Sequence, residues 1–161
     1  MARAWFHVSV ALGAALVAAP VAAEMRFHYD CRVVHTERIP YLGRQGQTAE
    51  LSHFKCRVSG GLLDGFVATG TNILEPHERG AQLVGSTVIV QKADSTLAYE
   101  VSDATRRLRT NKGGVVRWES TGTGIYRRAT GSAAPLAGKS FTALVRSAGP
   151  RAFTIDTVVS D

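Results

Sequence analysis

In the stretches RFHYDCRV (26–33) and SHFKCRV (52–58) every second residue is apolar: Phe27, Tyr29, Cys31 and Val33 in the first, Phe54, Cys56 and Val58 in the second. Between them stand His28, Asp30 and Arg32, then His53, Lys55 and Arg57. Side chains of a β-strand point alternately to its two faces, so such a run buries one side and wets the other. A helix would need apolar residues at i, i+3 and i+4, a spacing nearly absent after residue 23. Both cysteines stand in the apolar phase of their runs, which places any bridge between them on a buried face.

The remaining chain repeats the pattern. Residues 62–74, 82–92 and 97–102 read as three more strands, separated by the turn signals Ser59, Gly60 and Gly61, by the polar stretch EPHERGAQ (75–82) and by ADST (93–96). VVRWEST (115–121) and GIYRRAT (124–130) follow, and KSFTALVRS (139–147) and RAFTIDTVVS (151–160) close the chain around Ala148, Gly149 and Pro150. About eight short strands at this spacing fit an antiparallel β-barrel, with a two-sheet sandwich as the alternative. Residues 102–114 read either as a helical turn capped by Ser102 or Asp103 and ended by Gly113, or as a strand entering a long basic hairpin.

The segment 1–23 has the form of a secretory leader. Arg3 precedes an apolar run at 8–17, and Val21 and Ala23 supply the small residues before a cleavage point after Ala23. The run is shorter than the roughly 20 residues of a spanning helix. The expected organisation is a leader, 1–23, and one β-barrel domain, 24–161, in the periplasm or outside the cell, with no membrane span. In an oxidising compartment an even pair of cysteines implies a bridge, here Cys31 to Cys56. The net charge of +6 falls by one with Arg3 and reads as solubility, and export argues against a nucleic-acid partner.

The stretch GTGIYRRATG (122–131) places two glycines just inside an otherwise good strand, where bulges or corners of a curved sheet would need them. Tyr126 is expected to face the core and Arg127 to face water. These residues resemble the Gly-Thr-Gly-x-aromatic-Arg-x-Ala-x-Gly strand of plant dirigent proteins and, more loosely, allene oxide cyclase, which shares their eight-stranded barrel. The resemblance implies an interior able to hold a small, largely apolar molecule, and a tendency to form homo-oligomers. It carries over no catalytic residue.

Several residues carry candidate chemistry. His28 and Asp30 share a strand face, as acid/base work would require. His53 and Cys56 are three apart on a strand and face opposite sides, which argues against shared ligation. Glu75, His77 and Glu78 could clamp a cation, although a polar loop explains them as well. No spacing completes a metal site, and no metal or cofactor is expected. Arg106, Arg107, Arg109, Lys112, Arg117, Arg127 and Arg128 form the densest basic set; it suits an anionic group or lipid head, or simply a solvated face. No nucleophile elbow, phosphate-binding loop or redox dithiol is present.

Three functions are compatible with these features. The first is a binding module for a small apolar or amphipathic ligand, lined by Tyr29, Phe54, Tyr99, Trp118 and Tyr126. The second is a cyclase- or isomerase-type enzyme that uses His28 or Asp30 inside the barrel. The third is an envelope interaction or inhibitor protein acting through residues 38–48 or 103–114. The sequence leans away from catalysis, because no catalytic motif is present and a solvated polar face explains His28 and Asp30 equally well.

Overall fold

A computed structural model describes residues 24–40, 48–110, 114 and 116–160. Residues 1–23, read above as a leader, and Lys112 therefore lie outside the described residues. Eight antiparallel strands run in chain order around a closed barrel: β1 (Arg26–Pro40), β2 (Thr48–Ser59), β3 (Val67–His77), β4 (Gly80–Lys92), β5 (Ser95–Thr110), β6 (Val116–Ala129), β7 (Ser140–Gly149) and β8 (Ala152–Ser160). Each strand pairs with the next, and β8 returns to β1 with Arg26 opposite Val158 and Arg32 opposite Ala152. Closure leaves no free sheet edge, which decides between barrel and sandwich.

One open alternative closes at this level, in favour of a strand, and two expectations change. Residues 102–110 are not helical: they extend β5, paired along their length with β6. Residues 116–121 and 124–129 of the two runs belong to one continuous strand, β6, rather than two. Leu62 and Leu63 leave the third strand for a short 3₁₀ turn, Gly61–Leu63.

The glycines of β6 explain why it stays continuous. Gly122 and Gly124 face inward, where β5 slips in register between Val101 and Asp103. A Cβ on Gly122 would lie 2.7 Å from the Asp103 carbonyl oxygen, and one on Gly124 would lie 2.5 Å from that of Glu100 and closer still to Cζ of Phe141. Only glycine lets the two strands and the ring approach so closely.

Register slips also reverse the facing of strands part-way along. In β1, Phe27, Tyr29 and Cys31 are buried, but the irregularity between Val33 and His35 turns the next inward position to Thr36. His35, in the apolar phase by sequence, is thereby exposed and stacks on His53 with ring centroids 5.9 Å apart. In β5 the inward set Leu97, Tyr99 and Val101 gives way, past the slip, to Ala104 and Arg106. In β4 the slip opposite Ile73 and Leu74 leaves Val84 exposed and turns Leu83 inward.

The two ends of the barrel differ. At one end the 3₁₀ turns Gly61–Leu63 and Gly131–Leu136 fold across the opening and bury Leu63, Phe66, Ala133 and Leu136. Above this floor, Tyr99, Tyr126 and Phe141 pack with ring centroids 4.8–5.7 Å apart, and Tyr29 meets Tyr99 edge-on at 6.5 Å. Aromatic packing of this kind adds about 0.5–1.5 kcal/mol per pair to area burial. Cys31 and Cys56 sit directly opposite each other on β1 and β2 and form a buried disulfide with Cα atoms 4.0 Å apart. The bridge thus joins neighbouring strands rather than spanning the floor.

Candidate functional site

Between the aromatic floor and the other end of the barrel is a cavity of about 220 Å³, which opens, among the described residues, at the end opposite the 3₁₀ turns. Its deeper wall is apolar: Phe54, Tyr99, Phe141, Phe153 and Ile155. Phe54 and Phe153 meet edge-on at 5.5 Å, and Phe153 in turn touches Trp118 at 5.8 Å, so an aromatic chain climbs from the depth of the lumen toward its mouth.

Nearer the mouth the lining becomes polar, for a reason visible in the strand register. Thr36 is paired with Ser52, Ser52 with Asn72, and Asn72 with Ser86, so four polar side chains from β1 to β4 form one belt facing the lumen. The Ser86 hydroxyl donates to the Asn72 side-chain oxygen at 2.7 Å, and that of Ser52 donates to Glu50 at 3.2 Å. Across the lumen Arg106 is paired with Ser120. Arg151, in a left-handed turn conformation, donates to the carbonyl oxygens of Val33 and Val34 at 3.2 and 2.9 Å and fastens the β7–β8 turn to the slip in β1.

Arg106 is the unusual member. Its guanidinium carbon lies 4.3 Å from the centre of the Trp118 ring, a cation–π contact. Its Nε is buried and has no hydrogen-bond partner among the described residues. Burial lowers its pKa, and the charge of Glu50 opposes that shift; arginine nonetheless remains charged at any physiological pH. In the depth of the lumen burial also raises the pKa values of Tyr29, Tyr99 and Tyr126, the last to about 12, so all three phenols are neutral. Their hydroxyl groups lie near one another, yet those of Tyr29 and Tyr126 lack a well-formed hydrogen bond among the described residues.

The sequence candidates fall into three places. Phe54, Tyr99 and Trp118 line the cavity, whereas Tyr29 and Tyr126 are fully buried beneath it. His28 and Asp30 lie on the outer wall with 42 % and 71 % of their side chains exposed, because both occupy the polar phase of β1 ahead of its slip. There His28 Nδ1 is 2.7 Å from Asp156 and Nε2 is 3.5 Å from Asp30, while Arg146 bridges Asp156 and Glu119. The hydrogen bond with Asp156 is the main reason the His28 pKa is raised. Neither residue reaches the lumen, so an interior acid/base role cannot use them.

The basic set also divides. Arg107, Arg109, Arg117, Arg127 and Arg128 are exposed, with Arg109 paired to Glu119 and Arg127 to Glu100. Arg106 alone among its described members turns inward, against the reading of the set as one solvated face. On the β3–β4 hairpin, His77 Nδ1 accepts the backbone N–H of Arg79, and no three His, Cys, Asp or Glu side chains converge among the described residues. Sequence reasoning named Arg106 only as one of the basic set and missed its inward turn, together with Glu50 and the belt at Thr36, Ser52, Asn72 and Ser86. The available signal was that several strands turn from apolar to polar, in their inward phase, over the same half of the barrel.

Comparison with protein-family models, with curated proteins and with solved structures finds no match for this chain. Local packing accounts for the dirigent-like motif at 122–131, since Tyr126 packs in the floor, Arg127 pairs with Glu100 outside, and Gly122 and Gly124 admit β5 and Phe141.

Proposed function

We propose that the protein is a binding module that takes a small amphipathic ligand into its lumen through the open end. The observation that carries this reading is the cavity itself: about 220 Å³, apolar and aromatic in its depth, polar at its mouth. Such a gradient fits a ligand with an apolar body and one polar end, and a concave apolar site with few polar groups is the usual form of a small-molecule site. The enzyme reading is weakened by the outward placement of His28 and Asp30.

N-phenyl-1-naphthylamine titrated into the full chain carrying Trp5→Phe, which leaves Trp118 as the single tryptophan, tests the reading. Saturable quenching of Trp118, abolished when Ala143 in the cavity wall is replaced by Phe, is the expected result. A linear, unsaturable response that Ala143→Phe leaves unchanged would refute it.

Export belongs to the same proposal. The disulfide suits an oxidising compartment, and among the described residues no helix is long and apolar enough to cross a membrane. N-terminal sequencing of the protein recovered from an expressing host should begin at Glu24. Recovery of the unprocessed chain from the cytoplasm would overturn it.

A further inference from the structure

The lumen contains a half-buried cation with hydrogen-bonding capacity to spare. Arg106 enters the barrel because β5 slips between Val101 and Asp103; without that slip, Thr105 would occupy the inward phase and Arg106 would join its basic neighbours in water. Having entered, its guanidinium rests on Trp118 and keeps Nε without a partner. The opposite charge that acts on it is Glu50, yet the two form no ion pair within 4 Å. A charge partly removed from water with a buried donor unmatched is unfavourable unless an acceptor completes it. Ser120, paired with Arg106 across β5 and β6, adds a hydroxyl on the same side. Arg151 adds a second positive charge at the rim against the single negative charge of Glu50, the one carboxylate among the described residues lining the cavity.

Deepening the ligand-binding reading on which it rests, we infer that the lumen selects amphipaths with one anionic head group, a carboxylate or an anion of similar shape, seated on Arg106 beside Trp118 and Ser120. The apolar body of the ligand then lies along Phe54, Phe153 and Ile155 toward the floor. A planar guanidinium matches a carboxylate through paired N–H donors, and a partly desolvated site strengthens that match. The floor is the competing seat for a polar group, since two phenol hydroxyls there lack partners. Phenols carry no positive charge, however, and the route to them passes the apolar wall, so an anion is better placed at the mouth.

Three probes of equal chain length separate these possibilities: octanoate, 1-octanol and octylammonium, titrated by calorimetry at pH 7.5 into the full chain and into Arg106→Met and Glu50→Gln. In the wild type, octanoate should bind roughly tenfold more tightly than 1-octanol, as expected for a charge-assisted pair, with octylammonium weakest. Arg106→Met keeps an unbranched stem against Trp118 and removes the charge; it should bring octanoate down to the level of octanol without weakening octanol. Glu50→Gln should tighten octanoate about two- to fivefold by removing a like charge. Arg106→Gln serves should the Met variant fail to fold, and the wild-type ranking needs no variant.

Equal binding of octanoate and octanol by the wild type would overturn the anion selectivity and leave the lumen as a site for neutral ligands. A preference for octanoate that survives Arg106→Met would overturn the seat and move it to the floor. Failure of all three probes to bind would overturn the binding-module reading itself.

Discussion

The floor and the mouth of the barrel are made by the same eight strands, yet they solve opposite problems. At the floor the inward positions stay apolar, with Leu97, Tyr99 and Tyr126 buried even across the register shift opposite Arg127, rings interlock at 4.8–5.7 Å, and two 3₁₀ turns seal the end with Leu63 and Leu136 fully buried. At the mouth the alternation has slipped in β1, β4 and β5, the inward positions carry Thr36, Ser86 and Arg106, and a cavity stands open. Local irregularity is therefore where this sheet chooses its chemistry: the slips in β1 and β5 decide that Thr36 rather than His35, and Arg106 rather than Thr105, face the lumen. If that is the division of labour, substitutions at the floor should reduce stability, and substitutions at the mouth should alter ligand preference while stability stays the same or rises.

The largest effect belongs to the floor. Phe141, 2 % exposed, touches Tyr99 and Tyr126 and lies over Gly124. Phe141→Ala should lower the unfolding free energy by about 4 kcal/mol, the usual result of emptying an aromatic core position. Urea unfolding followed by far-ultraviolet circular dichroism measures it. A loss below about 1.5 kcal/mol, well under that range, would mean the floor is not the rigid half of the molecule.

Next comes the disulfide, which closes a loop with a sequence separation of 25. In the chain-entropy model such a link is worth about 3.5 kcal/mol. The double variant with Cys31→Ser and Cys56→Ser should melt at a markedly lower temperature than the oxidised wild type, and a reducing agent should lower the melt of the wild type alone. Equal melts with and without reductant would show that the two thiols are unpaired in solution.

The sign should change at the mouth. Arg106→Met removes a partly desolvated charge with no contact ion-pair partner and leaves apolar surface against Trp118. Replacing a buried charge by an apolar side chain of similar size is often neutral or stabilising by about 1 kcal/mol or more. The same denaturation experiment should therefore show no loss of stability. A loss comparable to that of Phe141→Ala would erase the contrast between the two ends.

That contrast also marks the boundary of what the sequence reveals. The glycine-flanked stretch 122–131 put Tyr126 inside with Arg127 outside, and alternation in 26–33 and 52–58 was enough to set β1 and β2 and to place Cys31 and Cys56 on one buried face. These are regular segments, where a residue's face follows from counting in twos. Past a slip the count fails. His35 reads as apolar-phase and emerges on the surface; Arg106 reads as one arginine of a basic cluster and turns into the lumen. A bulge in an antiparallel pair is decided by both strands together, here by the room that Gly122 and Gly124 give to β5, and no single run of residues records it. The polar belt was hidden for the same reason: its members are single residues on four strands, joined only by register.

The smallest predicted effect tests the outer wall, where the seam between β8 and β1 carries His28 against Asp156 and Asp30. The folded-state pKa of His28 is raised above 6.5, chiefly by the Asp156 hydrogen bond. Its contribution is therefore fully present below about pH 6.5, the unfolded value, and fades as pH climbs through the raised folded value. Comparing the wild type with His28→Gln by urea unfolding, the difference should be larger at pH 6 than at pH 9. It should stay below about 1 kcal/mol, because a side chain 42 % exposed is well screened by solvent. Added salt should shrink it further. A difference that grows with pH, or one as large as that of the disulfide, would mean that the seam draws on His28 for more than a surface ion pair, and the outer wall would then join the floor as a determinant of closure.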